Sequence, residues 1–231
     1  MKTAVVAALA ALSLVPFTHA QNLTGYVLPP GTSYVVVNTG NSDLDAAVYS
    51  AIADWNACLV GATIVGVPPD GTPPAYPNQR SEIYMDQIDA REDGLPIYAN
   101  TSVTTVSTLL KMQSHYVAEF DIRIDNSRQW TPDDLKRVVL HELGHAIGFG
   151  HPDEIGIDVP SVMRSGWNHP STTITDWDRK WTQALYAWHP LQATLLQKMT
   201  QARSIPSPFK RQRKINYYQR RLDQIATILF D

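Results

Sequence analysis

Four residues within eleven positions carry groups suited to hydrolysis: His141, Glu142, His145 and His151, in the stretch HELGHAIGFGH. Residues four apart on a helix share a face, so His141 and His145 can aim their imidazoles at one ion. Glu142 lies between them, too short to replace a histidine but placed to hydrogen-bond a water held on that ion. Gly148 is expected to end the helix, because glycine adopts the left-handed conformation that turns a chain sharply. Such a turn brings His151 back as a third ligand, where a continuing helix would carry it away. Three protein ligands leave the fourth tetrahedral position of a zinc ion open to water, which marks a catalytic rather than a structural site. Zinc lowers the pKa of a bound water to about 7. Glu142 can then act as general base and afterwards return the proton to a leaving amine nitrogen. His19, His115, His169 and His189 have no comparable spacing and are read as ordinary residues.

The elements that must hold this constellation are legible around it. Thr131-Pro132-Asp133-Asp134 starts a helix: Thr131 caps it, Pro132 suits the first turn, and the aspartates complement its positive end. Leu140, Leu143 and Ile147 fall on one side of that helix as a core face. An earlier helix starts at Ser42 with Asp45 as its box partner, and buries Val48, Ile52, Trp55 and Leu59. A later one starts at Thr175 with Asp178 in the box position, and buries Trp177, Trp181, Leu185 and Trp188. Ser33 to Thr39, Thr63 to Val67, Ile83 to Ile88 and Glu119 to Ile124 read as strands, and Pro68 to Pro77 as a loop. Leu95 to Val106 reads as a strand interrupted at Asn100, and as a candidate exposed edge. Strands and long helices interleave, which predicts a mixed sheet packed on helices, an α+β fold.

Residues 1–20 combine a basic start at Lys2, an apolar run from Ala4 to Val15 and the small residues before Gln21. That pattern is a cleaved secretory signal, too short to span a bilayer, so the mature chain is expected to begin near Gln21 and to be extracellular. No later stretch reads as a transmembrane segment. Cys58 is the single cysteine, so no intramolecular disulfide forms, and a small buried side chain is its plain reading. Asn22-Leu23-Thr24 and Asn100-Thr101-Ser102 match the glycosylation triplet. Charge divides the chain. Residues 21–190 hold 20 acidic and 10 basic side chains, net -10, whereas residues 191–231 hold 8 basic and 2 acidic, net +6. The domain reading is therefore a signal over 1–20, a catalytic domain over 21–190 and a basic extension over 191–231. In that extension Ile215, Tyr218, Leu222, Ile225 and Leu229 trace one face of an amphipathic helix. It is open to three readings: docking on its own acidic domain, a latency element removed at Lys210-Arg211 or Arg220-Arg221, or contact with anionic surfaces.

The stretch 141–151 resembles the HExxHxxGxxH motif of the metzincin clan of zinc peptidases. Ser161-Val162-Met163 supplies a methionine twelve residues after His151, so the resemblance makes Met163 the Met-turn residue, a soft apolar floor that does not bind the metal. It also implies the clan's fold: a twisted five-stranded mixed sheet, an active-site helix and a small C-terminal subdomain. Within the clan the likeness is to matrixins, through Trp130-Thr131 and through TDWDRKWTQALY at 175–186. Pro152 after the third histidine is similar to serralysins, yet their calcium repeats are missing. Ser165 stands where astacins and serralysins place a tyrosine, and Cys58 is not in a cysteine-switch setting. The resemblance implies substrate bound extended along an edge strand, here Leu95 to Val106, with Arg164 and Trp167 shaping a pocket beyond the scissile bond. Asp86, Asp89, Glu92 and Asp93 offer oxygen ligands for calcium, or form a solvated acidic turn. The expected function is a secreted zinc endopeptidase using a zinc-bound water activated by Glu142 on extracellular protein or peptide substrates, with no nucleic-acid partner. The alternative is a catalytically silent secreted protein that uses the same cleft for binding.

Overall fold

A computed structural model describes residues 23–24, 26–89, 96–107, 115–166 and 171–230. The expected signal over 1–20, the mature start at Gln21, and Leu95 and Trp167 lie outside those residues. Along the chain the elements are β1 (Tyr26–Val27), β2 (Gly31–Asn38), α1 (Ser42–Asn56), β3 (Ala62–Val67), β4 (Ser81–Asp86), β5 (Ala99–Ser107), β6 (His115–Asp125), α2 (Pro132–Ala146), a 3-10 turn (Asp153–Ile155), α3 (Asp176–Arg203) and α4 (Pro208–Phe230). The chain divides into two compact units that meet in sequence at Lys180 and Trp181.

The first unit is built on a single mixed sheet. Strands β3, β2, β4 and β6 pair in that order and run parallel, and β1 adds two residues beside His115 and Tyr116 of β6. Only β5 runs antiparallel, along the other side of β6, with Ala99 opposite Ile124 and a register shift between Thr104 and Thr105. Among the described residues nothing pairs with the outer side of β5, so it is the sheet's edge. Six strands form where the resemblance implies five; the addition is the two-residue β1, too short to leave an alternation in sequence. Strand β5 begins at Ala99 and runs through Asn100, which pairs with Arg123, so the interruption expected at Asn100 is absent: its side chain turns to the Arg123 guanidinium and leaves the ladder intact.

Parallel strands demand crossovers, and α1 supplies the one between β2 and β3. Its cap is Asn41, one residue before the expected Ser42: the Asn41 side chain accepts from the amides of Asp43 at 2.9 Å and Leu44 at 3.3 Å. Asp45 turns instead to the amide and hydroxyl of Thr39, tying the end of β2 to α1. Helix α2 starts as expected, with the Thr131 hydroxyl accepting from the Asp134 amide at 3.2 Å and Pro132 in the first turn. Its apolar side meets α1. Leu135, Leu140, Leu143 and Trp55 are fully buried, and the Trp55 indole donates to the carbonyl of Leu140 at 2.9 Å. Val35, Val37, Ile83, Phe120, Ile122 and Ile124 complete this core from the sheet.

The second unit contains the rest of α3 and all of α4. Helix α3 continues past Pro190, the expected end of the catalytic domain, to Arg203, and the helical break comes at Ser204 to Ser207. Proline removes one helical hydrogen bond, but the following Leu191–Gln201 stretch is rich in strong helix formers and carries the helix on. On α4, Leu222 is buried and Ile215 and Tyr218 are half-buried, in line with the apolar face read from sequence; the side chains of Ile225 and Leu229 lie outside the description.

Candidate metal centre and peptidase cleft

Helix α2 presents His141 and His145 one turn apart, and its last residue is Ala146. Gly148 takes φ +113, its amide donating to the carbonyl of His145 at 3.0 Å, and the chain turns so that His151 faces the other two. The loop is held from the N-terminal side as well. Leu23 bridges Phe149 antiparallel, and the Thr24 amide donates to the Gly148 carbonyl at 3.0 Å. One potential ligand atom from each histidine lies within 4.8 Å of the others, and among the described residues this is the cluster able to hold a metal ion.

The hydrogen bonds show how the three imidazoles are set. His141 Nδ1 faces the carbonyl of Val162 at 2.8 Å, His145 Nδ1 the carbonyl of Phe149 at 2.8 Å, and His151 Nδ1 a carboxylate oxygen of Glu154 at 2.7 Å. Each partner only accepts, so each ring carries its hydrogen on Nδ1 and turns an Nε2 lone pair inward. His141 Nε2 and His151 Nε2 stand 3.1 Å apart. Two facing lone pairs repel at that distance, whereas two nitrogens bound to one tetrahedral zinc are separated by about 3.3 Å. Burial also pushes the His145 imidazole below its usual pKa, which favours the neutral form a metal requires. The donor set fits zinc.

Beneath the helix, Met163, the residue expected in a Met-turn, is fully buried. Gly144 makes room for it: a Cβ at that position would stand 2.0 Å from Met163 Sδ. The turn is anchored by Asp178, which is 2% exposed and accepts from the Ser161 hydroxyl, from the Val162 amide at 3.0 Å and from the Thr175 hydroxyl at 2.7 Å. Asp178 therefore completes the expected capping box and also holds Val162, the residue whose carbonyl orients His141. Reading the sequence locally finds the box but not this second contact.

Glu142 is nearly buried. Loss of solvent pushes its carboxyl up to about 7, opposed by the hydroxyl of Thr101, which donates to Oε2 at 2.6 Å. It lines a cavity of about 390 Å³ together with the three histidines, Val138, Gly166 and residues 96–101 at the start of β5. Arg164, expected to wall the pocket, pairs with Asp158, and among the described residues of that stretch Gly166 lies on the cavity wall. Ser165 donates to Asp153 rather than facing the histidines. Of the calcium candidates, Asp86 accepts from the Gln87 amide and lies 3.8 Å from Arg123, while Glu92 and Asp93 fall outside the described residues. Cys58 is buried and free just beyond α1, its thiol pushed up by desolvation. Glu154 and Thr101 carry no sequence signal, since a carboxylate three residues after a histidine and a threonine in a strand are both commonplace.

Residues 105–187 match the family model described as Matrixin, a span running from β5 through α2 and the Met-turn into α3. Two solved structures of myroilysin are similar to the chain. One shows 14% identity over 77% of this chain and 95% of that one, with a TM-score of 0.39; the other shows 15% identity over 69% and 95%, with a TM-score of 0.39. The hatching-enzyme zinc-protease High choriolytic enzyme 1 of the medaka fish Oryzias latipes shows 11% identity over 69% of this chain and 94% of that one, with a TM-score of 0.40. No curated protein sequence matches. Residues 105–187 thus form a matrixin-like segment, and it carries all three histidines of the candidate metal centre.

Proposed function

We propose that the chain is a secreted endopeptidase in which His141, His145 and His151 hold zinc and Glu142 is the general base acting on extracellular protein or peptide substrates. The observation that carries this reading is the commitment of all three Nδ1 atoms to acceptors, which leaves three Nε2 lone pairs converging. Zinc in that place supplies Lewis acidity, acidifying water and polarising a substrate carbonyl. Glu142 takes the proton from the attacking water and returns it to the departing amine nitrogen. Its burial suits the task, since a carboxyl poised near neutrality can both accept and give up a proton. The unpaired outer side of β5 suits an extended substrate, which would add as a further strand while the cavity reads its side chains.

Secretion rests on the leader-like pattern of residues 1–20, and no described helix is long and apolar enough to cross a membrane. In this reading the catalytic domain covers residues 21–190, and the extension beyond it, net +6, is drawn to the acidic domain by charge. The decisive experiment is cleavage of casein or a mixed peptide library by wild type and Glu142→Gln, each with and without a chelator. Wild-type cleavage should vanish with the chelator and fall at least about a hundredfold in Glu142→Gln while zinc stays bound. A Glu142→Gln protein as active as wild type would remove Glu142 from the mechanism, and a chelator-insensitive activity would remove the metal. An intact wild type that binds zinc yet cleaves nothing would favour a binding protein.

A further inference from the structure

Thr101 lies on β5, not on the helix or loop that supplies the histidines, yet its hydroxyl reaches Glu142 twice. Thr101 Oγ1 stands 2.6 Å from Glu142 Oε2 and 3.0 Å from the Glu142 backbone carbonyl. A 2.6 Å separation is that of a charge-assisted bond from a hydroxyl to a carboxylate. The hydroxyl is delivered from a fixed backbone. Thr101 pairs with Ile122 in the β5–β6 ladder, and next to it the Asn100 side-chain carbonyl accepts from Arg123 Nε at 3.1 Å. Glu142, by contrast, has three side-chain torsions, and among the described residues the Thr101 hydroxyl is what holds its carboxylate.

We propose that Thr101 is a positioning residue for the proton-carrying carboxylate: its hydroxyl pins Glu142 Oε2 and so reserves Oε1 for the proton taken from water. The inference rests on the reading of Glu142 as the base. A proton arriving on Oε1 leaves Oε2 a carbonyl oxygen, still an acceptor, so the Thr101 contact survives the whole proton cycle without heavy-atom movement. The contact also ties the base to the edge strand along which substrate is proposed to lie. Anything that displaces β5 therefore displaces the base.

The experiment compares Thr101→Val, which keeps the shape and strand preference but loses the hydroxyl, with Thr101→Ser, which keeps the hydroxyl. Thr101→Val should lose about tenfold to a hundredfold in kcat with KM changed less than about twofold, and Thr101→Ser should stay within about threefold of wild type. Zinc stoichiometry should be unchanged in both. A crystal structure of metal-free Thr101→Val should show the Glu142 carboxylate spread over more than one rotamer. Wild-type kcat in Thr101→Val, a Thr101→Ser as slow as Thr101→Val, a change confined to KM, or a single unchanged Glu142 rotamer would each overturn the proposal. Glu142→Gln assayed in parallel separates the two questions. If it retains wild-type turnover, the assignment of the base has failed; if it is inactive while Thr101→Val is not, only the role of Thr101 has.

Discussion

The three histidines are held by two kinds of support. His141 and His145 rise from a regular helix, and each rests its Nδ1 on a main-chain carbonyl, of Val162 and Phe149. His151 stands on a loop, and its Nδ1 rests on the side chain of Glu154, which is 58% exposed. Main-chain acceptors packed under a helix cannot swing away, whereas a solvated carboxylate can. The helical pair is therefore a rigid half of the centre and His151 an adjustable half, joined by the turn at Gly148.

Substitutions on the two sides should separate these roles. The largest effect is expected beneath the helix. Gly144→Ala places a methyl group against Met163 Sδ in a sealed core and should cost about 3 kcal/mol in urea unfolding, with weaker zinc binding. A wild-type unfolding midpoint would mean that the floor yields and is not rigid. Next, Asp178→Asn weakens the anchor of the Met-turn. It should cost about 2 kcal/mol by the same measurement, and it should lower zinc affinity through the Val162 carbonyl. On the adjustable side, Glu154→Ala should leave stability unchanged and weaken zinc about tenfold in a competition titration with a chromophoric chelator. A loss as large as that of Asp178→Asn would erase the distinction between the halves.

A last substitution serves as a control away from the metal. Asp121 on β6 is 1% exposed, and its Oδ2 finds no hydrogen-bond partner among the described residues. Desolvation first, then the nearby charges of Glu119 and Glu82, push its carboxyl up to about 7. The folded state thus holds this proton more tightly than the unfolded chain, so Asp121 contributes stability below about pH 4 that is lost as pH rises to about 7. Asp121→Asn should remove that loss, raising the melting temperature at pH 8 but not at pH 4, with zinc affinity unchanged at both.

What could be read in sequence and what could not follows the range of the forces involved. The His141–His145 spacing and the turn at Gly148 are dictated by helical period and glycine geometry, both local, and the structure brings the three imidazoles together as expected. Strands β4 and β6 were legible from alternation and β2 from its β-branched and aromatic residues, which are local signals too. Thr101 and Glu142 are forty-one positions apart, and Asp178 and Val162 sixteen. Such meetings arise only when the sheet edge and the Met-turn are assembled against α2. The Arg164 side chain could not be placed by its position after Met163, because Asp158 competes for it from the same loop. The domain boundary read at Pro190 falls inside a helix, because the strong helix formers on either side outweigh the one bond that proline removes from α3.

Cys58 gives the molecule a reporter of its own motion. It is the sole thiol in the chain, it is 1% exposed, and the Arg179 guanidinium lies 3.6 Å from its sulfur. A thiol reagent can reach it only when the corner between α1 and β3 opens. The rate of labelling under native conditions therefore counts those openings directly, without engineered probes. Measured with and without zinc, it would tell how far the grip of the metal extends into the fold.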